Sequence, residues 1–133
     1  GNGDGSFTKI TAGAIVNDGG NSLNCSWGDY DNDGWPDVFV ANANFTTGEN
    51  NFLYKNNGDG TFMKITTGSI VNDGGNSTGA SWGDYDNDGG LDLFVTNYFT
   101  ENNFLYRNEG SGTFTKITAG EIVNDGGASV GSA

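Results

Sequence analysis

Aspartate recurs at alternate positions in two nine-residue stretches, DYDNDGWPD over Asp29–Asp37 and DYDNDGGLD over Asp84–Asp92. Both fit D-x-D-x-D-G-x-x-D. Carboxylates spaced in this way converge when the backbone curls round a cation, and Gly at the sixth position permits the sharp turn. In the first stretch Asp29, Asp31 and Asp33 supply oxygens, the carbonyl of Trp35 adds another, and Asp37 closes the shell. In the second the set is Asp84, Asp86, Asp88, the carbonyl of Gly90, and Asp92. Oxygen-only ligands, mostly anionic, select a hard divalent ion. A flexible all-protein cage favours calcium over magnesium, which demands a strict octahedron and keeps its waters. The expectation is two calcium sites. Asp, Asn and Gly also make ordinary turns, but four carboxylates in nine residues repel one another without a cation, and the pattern occurs twice. The helix–loop–helix calcium site is rejected. Its twelfth loop position takes Glu, whereas Val40 and Val95 stand there, and the flanks read as strands.

Composition narrows the remaining chemistry. The chain of 133 residues has 17 Asp+Glu against 5 Lys+Arg, a net charge of −12 that argues against nucleic acid or an anionic lipid surface as partner. There is no His and only one Cys, which removes the commonest general base, internal disulfides and Cys-based metal clusters. Only carboxylates are left for catalysis, and the clustered ones are committed to metal, so no catalytic residue is assigned and the reading is non-enzymatic. No apolar run approaches the ~18 residues of a membrane span, so no membrane insertion is expected. The hydrophobic fraction of 34% is low enough to suggest disorder, but 9 Phe, 5 Tyr and 3 Trp, and the placement of eight acids in two windows, argue for a fold. No targeting segment is visible. The first residues already read as part of a repeat, as in a mature piece or a fragment.

The elements that position the Asp stretches emerge from self-comparison. GDGSFTKIT at Gly3 returns as GDGTFMKIT at Gly58 and, more loosely, as GSGTFTKIT at Gly110; IVNDGG occurs three times and SWGDYDNDG twice. Each unit reads as four strands. Strand A is Ser22–Tyr30, with Leu23, Cys25 and Trp27 alternating against polar residues. Strand B is Asp37–Asn42, an apolar run suited to burial on both faces. Strand C is Asn51–Asn56 and strand D is Thr61–Thr66, joined by an Asn/Asp-Gly hairpin turn. No segment has a helical apolar period, so helix content near zero is expected. The predicted fold is all-β: four-stranded antiparallel β-propeller-type blades in tandem, about two blades plus an extra outer strand. The boundaries are 1–11 for an orphan outer strand, 12–66 and 67–118 for two repeats, and 119–133 for the start of a third. Two blades cannot close a ring of ~4–8, so missing sequence or neighbouring chains must complete or extend it.

Those residues carry a family resemblance. SWGDYDNDGWPDVFVAN and SWGDYDNDGGLDLFVTN, each followed by NFLY and a Gly-rich TF turn, resemble the FG-GAP/VCBS repeat family, the integrin α-propeller type of blade, in its bacterial extracellular variant. The resemblance covers nearly the whole chain. It implies a calcium-binding A–B hairpin in each blade, with Asp29, Asp31, Asp33 and Asp37, and Asp84, Asp86, Asp88 and Asp92, as ligands. It also implies a secreted or cell-surface location and a role in adhesion or ligand binding. The blades are too few for a ring, and the Phe-Gly…Gly-Ala-Pro motif of integrins is absent.

Weaker features are read plainly. The NDGG segments at Asn17, Asn72 and Asn124 are expected to be turns between strands D and A. Trp27 and Trp82 are expected in the core, and Cys25, aligned with Ala80 and Ser132, as a buried inert thiol. Ser111 and Glu109 alter the third copy of the C–D turn. The sequons at Asn24, Asn44 and Asn76 are about as many as chance supplies. Two functional classes remain. One is an extracellular module that binds a protein or glycan through the B–C loops Ala41–Asn50 and Thr96–Asn102, where the copies differ most. The other is a structural repeat that joins neighbouring copies of the chain head to tail, in a ring or filament, through the strand at Ser6–Thr11.

Overall fold

Val38, Phe39, Val40 and Ala41 make a strand that is apolar on both faces, and such a strand is stable only in the middle of a sheet packed on both sides. A computed structural model, which describes residues 1–110 and 112–131, places it there. Strands β1 (Ser22–Gly28), β2 (Asp37–Asn42), β3 (Phe52–Asn56) and β4 (Phe62–Ile65) form one antiparallel sheet in sequential order. Strands β5 (Ser77–Gly83), β6 (Asp92–Asn97), β7 (Phe104–Asn108) and β8 (Phe114–Ile117) form a second with the same order. These are strands A to D of two tandem propeller-like blades, and the sheets do not close on one another. Registers repeat too: Gly28 faces Asp37 and Gly83 faces Asp92, with the same irregularity after Ser22 and after Ser77.

Strand A ends two residues earlier than the sequence suggests, because Asp29 and Tyr30 already belong to the turn. Strand C starts at Phe52 because Asn51 uses its side chain instead, accepting from the Asn42 N–H at 2.9 Å. The D–A connections are more ordered than plain turns. Each holds a single helical turn, α1 (Ala14–Asn17), α2 (Ser69–Asn72) and a 3-10 turn at Glu121–Val123. The Asn amide closes each turn, donating to the carbonyls of Gly13, Gly68 and Gly120 at 3.0, 2.9 and 2.9 Å. Four residues are too few for an apolar period, so the sequence does not announce these turns.

The core lies between the two sheets. Tyr30, Phe39, Ala41 and Leu53 of the first blade meet Ala80, Leu93, Val95 and Tyr106 of the second, with Ile70 and Val71 of α2 between them. Trp82 packs against this cluster, stacked on Tyr30 with centroids 6.1 Å apart. Gly28 permits the approach: a Cβ there would lie 2.7 Å from Trp82 Cδ1. The Asn108 amide crosses the same seam to the Tyr30 carbonyl at 2.7 Å.

The equivalent residues of the first blade face outward. Trp27 is 55% exposed, so the core position expected for both tryptophans holds for Trp82 alone. Cys25 is exposed, not buried, because nothing among the described residues packs over it; its counterpart Ala80 is buried against the first blade. Gly1–Thr11 keeps the hairpin turn of its copies, with the Asn2 N–H on the Ser6 carbonyl at 2.9 Å as Asn57 is on Thr61 at 3.0 Å. It joins no ladder among the described residues, and Phe7 is 84% exposed. Both C strands already pair with their own D strands. Ser132 and Ser111, each singled out in the alignment, and Ala133 lie outside the described residues.

Candidate functional site

Because Gly28 pairs with Asp37 and Gly83 with Asp92, each Asp stretch is the A–B hairpin loop of its blade. The loop folds on its own carboxylates. Asp29 accepts the N–H of Asp33 at 3.0 Å and of Gly34 at 2.8 Å, and Asp33 accepts that of Trp35 at 2.9 Å. In the second loop Asp84 accepts from Asp88 and Gly89, each at 3.0 Å, and Asp88 accepts from Gly90 at 2.8 Å. Gly34 and Gly89 both have φ of 91°, the left-handed turn that a sixth-position Gly was expected to make. Asn32 and Asn87, at φ 58° and 63°, precede them in the same region, which Asn tolerates better than most residues.

The last Asp of each stretch opens the next strand and is buried. Asp37 accepts the N–H of Tyr30 at 3.2 Å and of Asn56 at 2.7 Å. Asp92 repeats this with Tyr85 at 3.0 Å and Asn108 at 2.8 Å. It thus ties hairpin to strand C. Burial holds the Asp37 carboxyl above the usual range against those two donors.

All eight predicted carboxylates therefore lie in two equivalent loops, but the convergent sets differ. Oxygens of Asp29, Asp31 and Asp37 lie within 4.8 Å of one another in the first loop, and those of Asp84, Asp86 and Asp88 in the second. Asp33 turns instead to Lys55, whose ammonium bonds it at 2.6 Å and also bonds Asp31. That contact, together with the Trp35 N–H, holds the Asp33 carboxyl below its ordinary value. At Trp35 and Gly90 the backbone amide is bound within the loop. The Trp35 indole lies over Gly58 of the C–D hairpin, where a Cβ would come within 2.6 Å of it.

Four features test whether a hard cation fits. The donors are oxygens throughout. Asp31 Oδ1 is buried with no partner among the described residues, and an orphaned carboxylate oxygen calls for a positive charge. A cation already sits in the first loop, the Lys55 ammonium. In the second loop desolvation raises the Asp86 carboxyl above its ordinary range, with the charges of Asp88 and Asp92 adding to it. The residues fit a divalent ion.

Two constellations escaped the sequence reading. Asp18 of the first NDGG segment accepts the Tyr54 hydroxyl at 2.8 Å and pairs with Lys64 at 2.8 Å. Asp73 does the same with Tyr106 at 2.9 Å and Lys116 at 2.8 Å. Each lysine also lies over a strand-C ring, Phe52 at 3.8 Å and Phe104 at 3.7 Å. The signal was present: Asp of NDGG, Tyr of NFLY and Lys of the TF-turn strand recur together. The second constellation joins the B–C loops, where Phe45 meets Tyr98 and Phe99 with centroids 5.8 and 5.9 Å away. Phe45 and Phe99 are half-exposed.

Comparison with known proteins follows the same seams. The family described as FG-GAP-like repeat matches in three overlapping segments, residues 1–40, 29–95 and 84–133, which together span the chain. The overlaps, residues 29–40 and 84–95, each hold one Asp loop and the first four residues of the strand after it. No curated protein gives a significant match.

Proposed function

The chain belongs to the FG-GAP-like repeat family, and from that premise we propose that it is a calcium-stabilised propeller-type repeat module, not an enzyme, that binds a protein or glycan outside the cell. The observation that carries the reading is the pair of equivalent hairpin loops, each converging three carboxylates. Asp29, Asp31, Asp33 and Asp37, with the Trp35 carbonyl, would hold one ion. Asp84, Asp86, Asp88 and Asp92, with the Gly90 carbonyl, would hold the other. A bound ion supplies positive charge that cancels carboxylate repulsion and fixes the loop. Its work is structural, because the last Asp of each set joins hairpin to strand C. The loops also touch across the blade seam, the Asn32 amide reaching the Gly89 carbonyl at 3.5 Å. Recognition then falls to the opposite end of the blades, where Phe45 and Phe99 are half-exposed beside Tyr98.

Thermal melts in calcium and in EGTA at low salt test the metal. Extracellular sites have Kd on the order of 10⁻⁴–10⁻³ M, and at ten times Kd each site adds roughly 1.4 kcal/mol. An unchanged melting temperature would refute the reading.

A second reading, head-to-tail assembly with a further repeat, is favoured by one observation. A cavity of about 550 Å³ on the open face of the second blade is lined by Trp82, Tyr85, Phe94, Leu105 and Ile117 among others. It repeats the first-blade face that receives Trp82, and Gly83 stands there where Gly28 stands in the filled copy. If the repeat comes from another copy, residues 1–20 of the incoming chain duplicate the host's 108–127, so one of the two segments must be released. Sedimentation of the chain in calcium tests this reading, and a monomer at all concentrations would refute it.

A further inference from the structure

Two loops that share DYDNDG are not electrostatically alike, and the difference comes from strand C. Lys55 and Arg107 occupy the same register, Lys55 opposite Met63 and Arg107 opposite Thr115. Lys55 turns into the first loop and bonds Asp31 and Asp33. Arg107 does not enter the second. It is held by Glu109, with Nε at 3.0 Å and Nη2 at 2.5 and 2.7 Å from the carboxylate oxygens. Glu109 replaces Asn57, which is neutral and bonds the Thr61 hydroxyl at 2.9 Å instead. One repeat thus carries an internal counter-cation among its metal-binding carboxylates. The other has a residue that keeps the equivalent cation away.

We propose that Lys55 competes with the metal ion at the Asp29–Asp37 loop, and that Glu109 keeps the Asp84–Asp92 loop open by withholding Arg107, so that the second loop loads first. This rests on the calcium reading above. An ion entering the first loop must displace an ammonium from two carboxylates. An ion entering the second meets Asp84, Asp86 and Asp88 with no cation bound to them among the described residues. The competing pair is partly exposed, with Lys55 at 25% and Asp31 at 15% side-chain exposure. Such a pair is worth up to about 1 kcal/mol, so the two affinities should differ by roughly fivefold.

The test is a calcium titration of the full chain followed by proton–nitrogen NMR. The Gly34 and Gly89 amides, bonded to Asp29 and Asp84, report the two loops separately. In the unaltered chain Gly89 should shift at roughly fivefold lower calcium than Gly34. Lys55→Gln should bring the Gly34 midpoint down to that of Gly89 and leave Gly89 in place. Glu109→Asn should free Arg107 and move the Gly89 midpoint upward by a similar factor. Coincident midpoints in the unaltered chain, or a Gly34 midpoint indifferent to Lys55→Gln, would overturn the inference while leaving calcium binding intact. No shift of either amide would instead overturn the calcium reading and the inference with it. Both substitutions are at partly exposed positions, and an unchanged pattern of remaining amide signals verifies folding.

Discussion

Trp82 donates its indole N–H to the carbonyl of Ser26 at 3.2 Å, fastening the inner strand of one blade to the inner strand of the next. The bond sits in an apolar seam, where an unpaired indole N–H would cost free energy. It also fixes how the blades are offset, since Gly28 leaves room for the ring.

That relationship predicts an asymmetry between identical residue types. Trp82→Ala should cost up to about 3 kcal/mol, the lower end of the range for a large aromatic, because the ring is packed on the core but only partly buried. Trp27→Ala, on the open face, should cost under about 1 kcal/mol. Likewise Gly28→Val should destabilise by about 1–3 kcal/mol through overpacking, whereas a Cβ at Gly83 meets nothing within 4 Å among the described residues. Urea unfolding of Trp82→Ala, Trp27→Ala, Gly28→Val and Gly83→Val checks this, and equal effects within either pair would contradict the described seam.

The Asp18 carboxylate predicts an acid-sensitive step. Its bond from Lys64, and then that from the Tyr54 hydroxyl, hold its carboxyl pKa below the ordinary carboxylate value. A carboxyl depressed on folding contributes stability above its unfolded value of about 3.9, and that contribution is lost as pH falls through the folded value. Melting temperature should therefore drop more steeply below about pH 4 in the parent chain than in Asp18→Asn. Parallel profiles from pH 6 to pH 3 would show that the clasp carries no such linkage.

Much of the fold was legible because repetition and alternation are local properties of sequence. Strand B is present at Asp37–Asn42 as read, since an uninterrupted apolar run has no other stable place in an all-β chain. Both Asp loops fall where the spacing put them. What stayed hidden depends on neighbours. Cys25 and Ala80 share one position in the repeat, yet one is exposed and the other buried, because among the described residues only Ala80 meets a neighbouring blade. Lys55 and Arg107 align as interchangeable cations, and only the side-chain geometry shows that Glu109 separates them. The Asp18–Tyr54–Lys64 group spans 46 positions, too far apart for a motif scan to join.

The second Asp loop should respond with opposite signs to one substitution. Asp86 is raised first by desolvation and then by the charges of Asp88 and Asp92, so its ionised form is disfavoured in the metal-free fold. Asp86→Asn removes that repulsion. It should raise the melting temperature in EGTA, yet reduce the gain on adding calcium, because a metal ligand is lost. Differential scanning calorimetry in both conditions measures the two effects. A variant that is destabilised in EGTA and keeps the full calcium response would contradict the described loop.

Phe99 makes the last prediction, about the surface on which recognition is proposed. Its φ is 60°, a conformation that a bulky residue adopts only under constraint. Strain of this kind costs of order 1–3 kcal/mol and is retained where the surroundings over-determine it. The surroundings here are Tyr98, with centroid 4.7 Å away, and Phe45 from the other blade. Aromatic pairs of that sort return about 0.5–1.5 kcal/mol each, so strain and stacking nearly cancel. Phe99→Gly relieves the first and loses the second. Its stability should therefore change by less than about 1 kcal/mol, although an exposed aromatic has been deleted. A ligand that docks on this cluster should bind the variant at least tenfold more weakly, since the ring is held outward for no structural gain. A neutral glycan array probed with the parent chain and the variant, alongside urea unfolding, separates the outcomes. A large stability loss would make Phe99 a packing residue, and unchanged binding of a captured glycan would move the recognition surface elsewhere.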